Sequence, residues 1–99
     1  MTENELKHYV LRVARLNGWS VFHMAQSRPS RPVRIQGDAT SAGYPDLTLA
    51  RDKEVLWIEL KTDDGMLRPE QYAWQLALPA YHVIRPRDID AGRLVELLG

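Results

Sequence analysis

Cysteine is absent from the 99 residues of this chain, which excludes disulfide bonds, thiolate metal sites and cysteine nucleophiles. An excess of charge of either sign is also missing, because 13 basic and 13 acidic side chains give a formal net charge of zero. Bulk charge therefore indicates neither a nucleic-acid binder nor a partner of acidic molecules. Any charged binding face must come from local clusters.

Long hydrophobic runs are absent as well, since no apolar stretch approaches the ~20 residues that a membrane-spanning helix needs. The acidic N-terminal stretch also lacks the basic and then apolar segments of a signal peptide. We therefore expect a soluble protein that acts in the cytoplasm and has no membrane partner. A chain of 99 residues is long enough for one compact core, so we expect residues 1–99 to form a single domain.

Hydrophobic periodicity predicts one helix followed by three strands. Apolar side chains recur at helical spacing from Leu6 onward, and Asn17-Gly18 is a typical helix stop, so we predict a helix over residues 3–17. Residues 26–42, rich in Ser, Pro, Arg and Gly, are typical of a long loop, which in a compact domain is often functional. The predicted strands cover residues 19–24, 47–50 and 55–61, with a hairpin turn at residues 51–54.

The C-terminal third of the chain predicts a strand between two helices. Pro69 suits a first helical turn and opens a predicted helix over residues 69–78. Residues 81–84 have the composition of a strand, and residues 89–98 that of a closing helix. The order α-β-β-β-α-β-α predicts an α/β domain with a mixed, hairpin-containing β-sheet flanked by helices.

Two acids and a lysine stand at the ends of adjacent predicted strands. The sequence Gly-Tyr-Pro-Asp46 opens one strand, and Glu59-Leu60-Lys61 closes the next. Because side chains alternate across a sheet, Glu59 and Lys61 share a face, and the hairpin brings Asp46 near them. Two convergent carboxylates suit Mg²⁺, which prefers oxygen ligands and keeps several waters. The pattern predicts metal-dependent phosphodiester hydrolysis, in which Lys61 orients the attacking water or offsets negative charge.

Each of these motifs also has an ordinary structural interpretation. Pro-Asp is a routine turn, and Glu-x-Lys is often an exposed strand face that carries a surface ion pair. Their joint occurrence on adjacent strands favours a metal site, because Trp57 indicates that the same face is partly buried.

The order and spacing of these motifs resemble the VRR-Nuc domain, a branch of the PD-(D/E)XK nuclease superfamily. The resemblance covers nearly the whole chain, and its further matches are Leu67, Pro69, Glu70, Gln71, Trp74 and the stretch Val83-Ile84-Arg85-Pro86. It implies a restriction-endonuclease-like fold and a DNA endonuclease that uses Mg²⁺ or Mn²⁺. It also implies a homodimer that acts on branched or flapped DNA, such as the Holliday junctions of DNA repair. Stand-alone domains of this kind are often encoded by phages, which would place the protein in the host cytoplasm without a small-molecule cofactor.

The resemblance also implies roles for individual residues. Asp46 and Glu59 match the metal-binding acids, Lys61 matches the catalytic lysine, and Leu60 would lend its backbone carbonyl to the metal. Gln71 matches a conspicuous glutamine of the helix after the lysine. Gln71 could face the site while Trp74, one turn away, anchors the helix, although a solvent-exposed glutamine is the alternative.

A glutamate of the first helix is a further metal ligand that the resemblance implies. Glu3 fits the expected position, three residues before Leu6, and lies nearer the apolar face of the helix than Glu5 does. Glu5 stays open as the alternative. It has a structural role of its own, because Thr2-x-x-Glu5 is a capping box in which both side chains satisfy backbone amides.

Two positions depart from the family pattern. The segment between Arg28 and Gly43 is longer than the family usually has, which leaves the substrate preference open. Arg68 stands where a capping Ser or Thr is usual before Pro69, so the helix start must use another partner or a bound phosphate.

Candidate DNA contacts come from basic and aromatic side chains. Arg28, Arg31 and Arg34 share one polar stretch and are the first candidates for phosphate contacts. His23 leads into this stretch, and Tyr44 could stack on a base, although an aromatic side chain beside a small core more often packs. The other histidines, His8 and His82, fit no zinc motif and are expected to be structural.

Two other functions stay open. A non-catalytic module could keep the fold and bind DNA or a partner nuclease through its arginines. Alternatively, a restriction-type nuclease could read a specific duplex sequence in the major groove, although 99 residues leave little beyond residues 26–42 for that reading.

Overall fold

A four-stranded mixed sheet flanked by helices forms the body of the protein, whose computed structural model describes residues 1–23 and 41–99. The elements in chain order are α1 (Glu3–Leu16), β1 (Ser20–His23), β2 (Leu47–Arg51), β3 (Glu54–Leu60), α2 (Pro69–Ala77), β4 (Tyr81–Ile84), α3 (Pro86–Asp90) and α4 (Arg93–Leu98). The predicted α/β class is therefore confirmed. Arg28, Arg31, Arg34 and most of the predicted loop lie outside the described residues. No helix of the described part is long and apolar enough to span a membrane.

The sheet has the order β1-β2-β3-β4, with β1, β2 and β3 antiparallel to one another and β4 parallel to β3. Asp52 and Lys53 form the tight turn between β2 and β3, and both have positive φ, 51° and 68°. Such left-handed turns match the twist of the strands that they join. The parallel pairing requires a crossover, which carries α2.

The register of the strands separates an apolar face of the sheet from a polar one. Leu47 lies opposite Ile58, and Leu49 lies opposite Leu56. These four side chains are buried together with residues of α1 and α4, namely Leu6, Val10, Leu11, Ala14, Leu94 and Leu98. Because side chains alternate, the opposite face carries Thr48, Trp57, Glu59 and Tyr81. The core therefore fixes which side chains reach the polar face.

The first helix begins and ends where its sequence signals predict. Thr2 Oγ1 accepts from the Glu5 N–H at 3.1 Å, and Glu5 Oε1 accepts from the Thr2 N–H at 2.9 Å, so the predicted capping box is confirmed. The helix ends at Leu16, one residue before the predicted end, and Gly18 follows with a φ of 84°.

The single closing helix predicted over residues 89–98 is wrong, because two short helices occupy this part of the chain. Pro86 starts α3 three residues earlier than predicted, and Asp88 Oδ2 accepts from the Arg85 N–H at 2.7 Å. Gly92 then adopts a left-handed φ of 74°, which ends the first helix and starts the second. A glycine adopts this conformation without the steric cost that a Cβ would add.

Gly92→Ala should destabilise the protein through backbone strain alone. A Cβ at this position would meet no atom within 4 Å, so only the positive φ opposes it. We expect the free energy of unfolding to fall by about 1 kcal/mol. Urea denaturation measures this loss, and an unchanged midpoint would show that the break between α3 and α4 does not depend on glycine.

Candidate active site

Asp46 and Glu59 meet at one end of the β2–β3 hairpin. Leu47 pairs with Ile58, so one step further along the two antiparallel strands Asp46 stands opposite Glu59. Asp46 Oδ2 accepts from the backbone N–H of Leu60 at 2.8 Å, which ties the carboxylate to the end of β3. The structure therefore brings together the two acids that the sequence predicts as a pair.

Gln71 holds the Glu59 carboxyl from the side of α2. Only 2% of Glu59 and 5% of Gln71 are exposed, and Gln71 Nε2 donates to Glu59 Oε1 at 3.3 Å. Gln71 Oε1 accepts from the backbone N–H of Arg68 at 2.8 Å, which orients the amide and satisfies the N–H of the residue at the helix start. Gln71 thus faces the carboxylate pair, and the alternative of a solvent-exposed glutamine is wrong.

The environment of Glu59 strongly favours its neutral form. The pKa of this carboxyl is raised to about 9, first by burial, then by the hydrogen bond with Asp46 and by the negative charge of Asp46. The ammonium of Lys61 lowers the pKa and the carboxylate of Glu3 raises it, but both effects are smaller. At neutral pH the pair must therefore share a proton or bind a cation.

The oxygen donors at this position fit a hard divalent cation. Asp46 and Glu59 supply two adjacent carboxylates, and the Leu60 peptide lies at the same point. In residues 1–23 and 41–99, no group of three or more His, Cys, Asp and Glu side chains could hold a metal ion. Proteins nevertheless often bind Mg²⁺ through only one or two carboxylates, and the ion keeps several water ligands.

Of the two glutamates proposed from α1, Glu3 is the one whose charge acts on the pair. Its carboxylate contributes to the raised pKa of Glu59, whereas Glu5 makes no such contribution. Glu5 is engaged in the capping box, and its pKa is lowered by the hydrogen bonds with Thr2. This charge effect favours Glu3 over Glu5, and the role of Glu3 as a metal ligand stays a prediction.

Aromatic side chains brace the segment that leads into Asp46. Trp57 Nε1 donates to Tyr44 Oη at 2.9 Å, and Tyr44 Oη lies 3.2 Å from Thr48 Oγ1. The rings of Tyr44 and Trp74 pack edge to face with centroids 4.9 Å apart, and Trp74 Nε1 donates to the Ala42 carbonyl at 3.0 Å. Trp74 therefore anchors α2 as predicted. Tyr44 packs here, and its contact with DNA stays a prediction.

The structure does not bring His23 to the carboxylate pair. His23 is paired with Leu47, so it lies on the apolar face of the sheet, and its Nδ1 is buried without a hydrogen-bond partner among the described residues. His8 is exposed on α1. His82 also lies on the apolar face, where burial and then the charge of Arg93 lower its pKa. Neither His8 nor His82 contributes to the site.

Tyr81 is a residue on the site face that the sequence did not single out. It is paired with Trp57 across the parallel strands, and its hydroxyl is buried without a partner among the described residues. Burial raises the pKa of this hydroxyl, and the charges of Glu59 and Asp46 raise it further. Tyr81 lies on the face of Glu59 because of the register between β3 and β4. This register joins residues far apart in the chain, so no local sequence pattern predicts it.

Comparisons with known proteins identify no similar protein. No family model matches the chain, and neither does any curated protein or solved structure. The resemblance to the VRR-Nuc domain therefore depends on the motifs alone, and membership of that family stays a prediction.

Gly43→Ala should lower the free energy of unfolding more than Gly92→Ala does. Gly43 has a φ of 80°, and a Cβ there would lie 2.7 Å from the backbone carbon of Glu70. Both strain and a clash with the first turn of α2 oppose the change, so we expect a loss of about 2 to 4 kcal/mol in the free energy of unfolding. Urea denaturation of the two variants side by side measures the difference, and equal losses would contradict the proposed clash.

Glu59→Gln should stabilise the metal-free protein at alkaline pH. In the folded protein Glu59 keeps its proton up to about pH 9, whereas the unfolded chain releases it near 4.5. Its contribution to stability is therefore complete below pH 4.5 and is lost as the pH rises toward 9. Glutamine cannot ionise, so we expect a gain of about 1 to 2 kcal/mol at about pH 8, after allowance for solvent screening.

Urea denaturation in EDTA at acidic and alkaline pH measures this gain. The gain should disappear at about pH 4, where the wild-type carboxyl is protonated in both states. A gain of equal size at both pH values would show that ionisation of Glu59 is not its cause.

Proposed function

We propose that the protein is a metal-dependent DNA endonuclease that hydrolyses phosphodiester bonds with Mg²⁺ or Mn²⁺. The observation that carries this proposal is the pairing of Asp46 with the buried Glu59, within range of the Lys61 ammonium. When both of these adjacent acids are ionised, a divalent cation would balance their negative charge. A lysine beside such a pair fits phosphoryl chemistry, because negative charge develops on the phosphate during the reaction.

The residues of the site would have separate tasks. Asp46 and Glu59 would hold the cation, with the Leu60 carbonyl and, from α1, Glu3 as further donors. When bound, the cation supplies Lewis-acid polarisation of the phosphate and a water of lowered pKa. Lys61 would orient the attacking water or stabilise the charge that develops on the phosphate. Gln71 would keep Glu59 in place through the bond from its Nε2.

The choice of DNA, and of branched or flapped DNA in particular, is supported by the resemblance to the VRR-Nuc domain. The same resemblance supports a homodimer, in which two sites would cut the two strands of a symmetric junction. Arg28, Arg31 and Arg34 are the proposed phosphate contacts, and Tyr44 is a candidate for stacking on a base. We place this activity in the cytoplasm, which would be that of the host if the protein is encoded by a phage.

Cleavage of labelled four-way junction, flap and duplex DNAs of matched sequence tests the proposal. Asp46→Asn and Lys61→Met should each lower the cleavage rate by roughly 100-fold or more, because each removes one charged group of the site. Asp52→Asn and Lys53→Met are matched controls, since they make the same changes in the exposed turn at the other end of the hairpin. EDTA should abolish cleavage. Rates of Asp46→Asn and Lys61→Met equal to wild type would refute the assignment of the site.

A non-catalytic binding module of the same fold is the second candidate. In its favour, the described residues contain no group of three or more potential metal ligands. DNA binding that persists in EDTA, with no cleavage of any substrate under either metal, would support it. If cleavage does occur, mapping the ends produced from random-sequence plasmid separates a structure-selective nuclease from a restriction-type enzyme.

A further inference from the structure

A single guanidinium group holds the loop that directly follows Lys61. Arg85 Nη1 donates to the carbonyl of Thr62 at 2.6 Å and to that of Gly65 at 2.6 Å. A longer contact of 3.5 Å joins the same nitrogen to the carbonyl of Asp63. Three carbonyls of one short loop therefore converge on one side chain, which comes from the residue after β4.

Arg85 is itself fixed by the start of α3. Its backbone N–H donates to Asp88 Oδ2 at 2.7 Å. The loop has a second attachment at the same helix, because Asp63 Oδ1 accepts from the backbone N–H of Arg87 at 3.1 Å. Charged donors and carbonyl acceptors of this kind form the stronger hydrogen bonds in proteins. The loop is therefore attached to an ordered part of the fold.

Gly65 of this loop lies beside the aliphatic stem of Lys61. A Cβ at Gly65 would lie 3.4 Å from Lys61 Cδ and 3.0 Å from Thr62 Oγ1. The backbone of Lys61 is also fixed, since its N–H donates to the Ile84 carbonyl at 3.1 Å. A lysine stem has four rotatable bonds, and a neighbouring group beside Cδ removes some of its rotamers. Gly65 lies close enough to be that neighbour.

We propose that Arg85 is a positioning residue for Lys61: by gathering the loop carbonyls it places Gly65 against the lysine stem and directs the ammonium toward Glu59. The catalytic consequence of this arrangement rests on the proposed nuclease function. Lysine is a poor replacement for Arg85, because its flexible stem does not hold a nitrogen at the position where the planar guanidinium holds Nη1.

Kinetics of Arg85→Lys separate positioning from a general structural role. On the DNA that the wild type cleaves, kcat should fall by about tenfold or more while KM stays within about twofold, because misplacing a catalytic group affects the reaction more than binding. Gly65→Ala should give the same pattern while leaving Arg85 intact, because its Cβ would meet Thr62 Oγ1 at 3.0 Å and so shift the loop beside Lys61 Cδ. Added guanidinium ion should partly restore kcat in Arg85→Ala.

Arg51→Lys is the matched control. Arg51 Nη1 also donates to backbone carbonyls, those of Asn17 at 2.9 Å and Leu98 at 3.2 Å, but it makes no hydrogen bond to the loop after Lys61 or to Asp88. Both kinetic constants of this variant should stay within about twofold of wild type. Unchanged kcat in Arg85→Lys, a rise of KM alone, or equal losses in Arg51→Lys would each overturn the inference.

A measurement of side-chain order tests the same inference without activity. The NMR order parameter of Lys61 Cε should fall in Arg85→Lys, and hydrogen exchange of the Gly65 amide should become faster, while Arg51→Lys changes neither. If the wild type cleaves no DNA, the nuclease proposal fails, and this measurement alone decides whether Arg85 positions Lys61. An unchanged order parameter in Arg85→Lys would refute it.

Discussion

The buried contact between the Glu59 carboxyl and Asp46 is the constraint on which the rest of the site depends. Two carboxylates cannot both stay ionised in such a place without a proton or a cation between them, because their repulsion adds to the cost of burial. The strand register imposes this contact, since the core residues Leu47 and Ile58 fix the pairing of β2 with β3. Sliding the register to separate the acids would expose the core.

The elements around the pair serve the fold and the site together. Gln71 caps the first turn of α2 and donates to Glu59, so the helix start and the carboxylate are fixed by one amide. Gly43 lets the preceding loop approach that turn closely. On the side of Lys61, the loop that follows this lysine is hydrogen-bonded through its carbonyls to Arg85, at the start of α3. Rigid supports of this kind are what a preorganised catalytic site requires.

Local sequence patterns predicted the features that depend on residues close together in the chain. Strand alternation and the short hairpin turn predicted that Asp46 and Glu59 would meet, and Thr2-x-x-Glu5 predicted the cap of α1. The break at Gly92 was missed because the apolar spacing of the last residues continues through it, and only a left-handed φ reveals it. The face of Tyr81 and the carbonyl contacts of Arg85 depend on partners about twenty residues away, across the parallel pairing and the crossover, where no local pattern applies.

Calorimetric titration of the protein with Mn²⁺ at neutral pH is the most direct test of a cation site at this pair. Mn²⁺ should bind the wild type and release about one proton, because it displaces the proton that Glu59 otherwise holds. Binding should be at least about tenfold weaker, and without proton release, in Glu59→Gln, while Lys53→Met should match the wild type. Absence of Mn²⁺ binding to the wild type, or equal binding to wild type and Glu59→Gln, would contradict the assignment of the site.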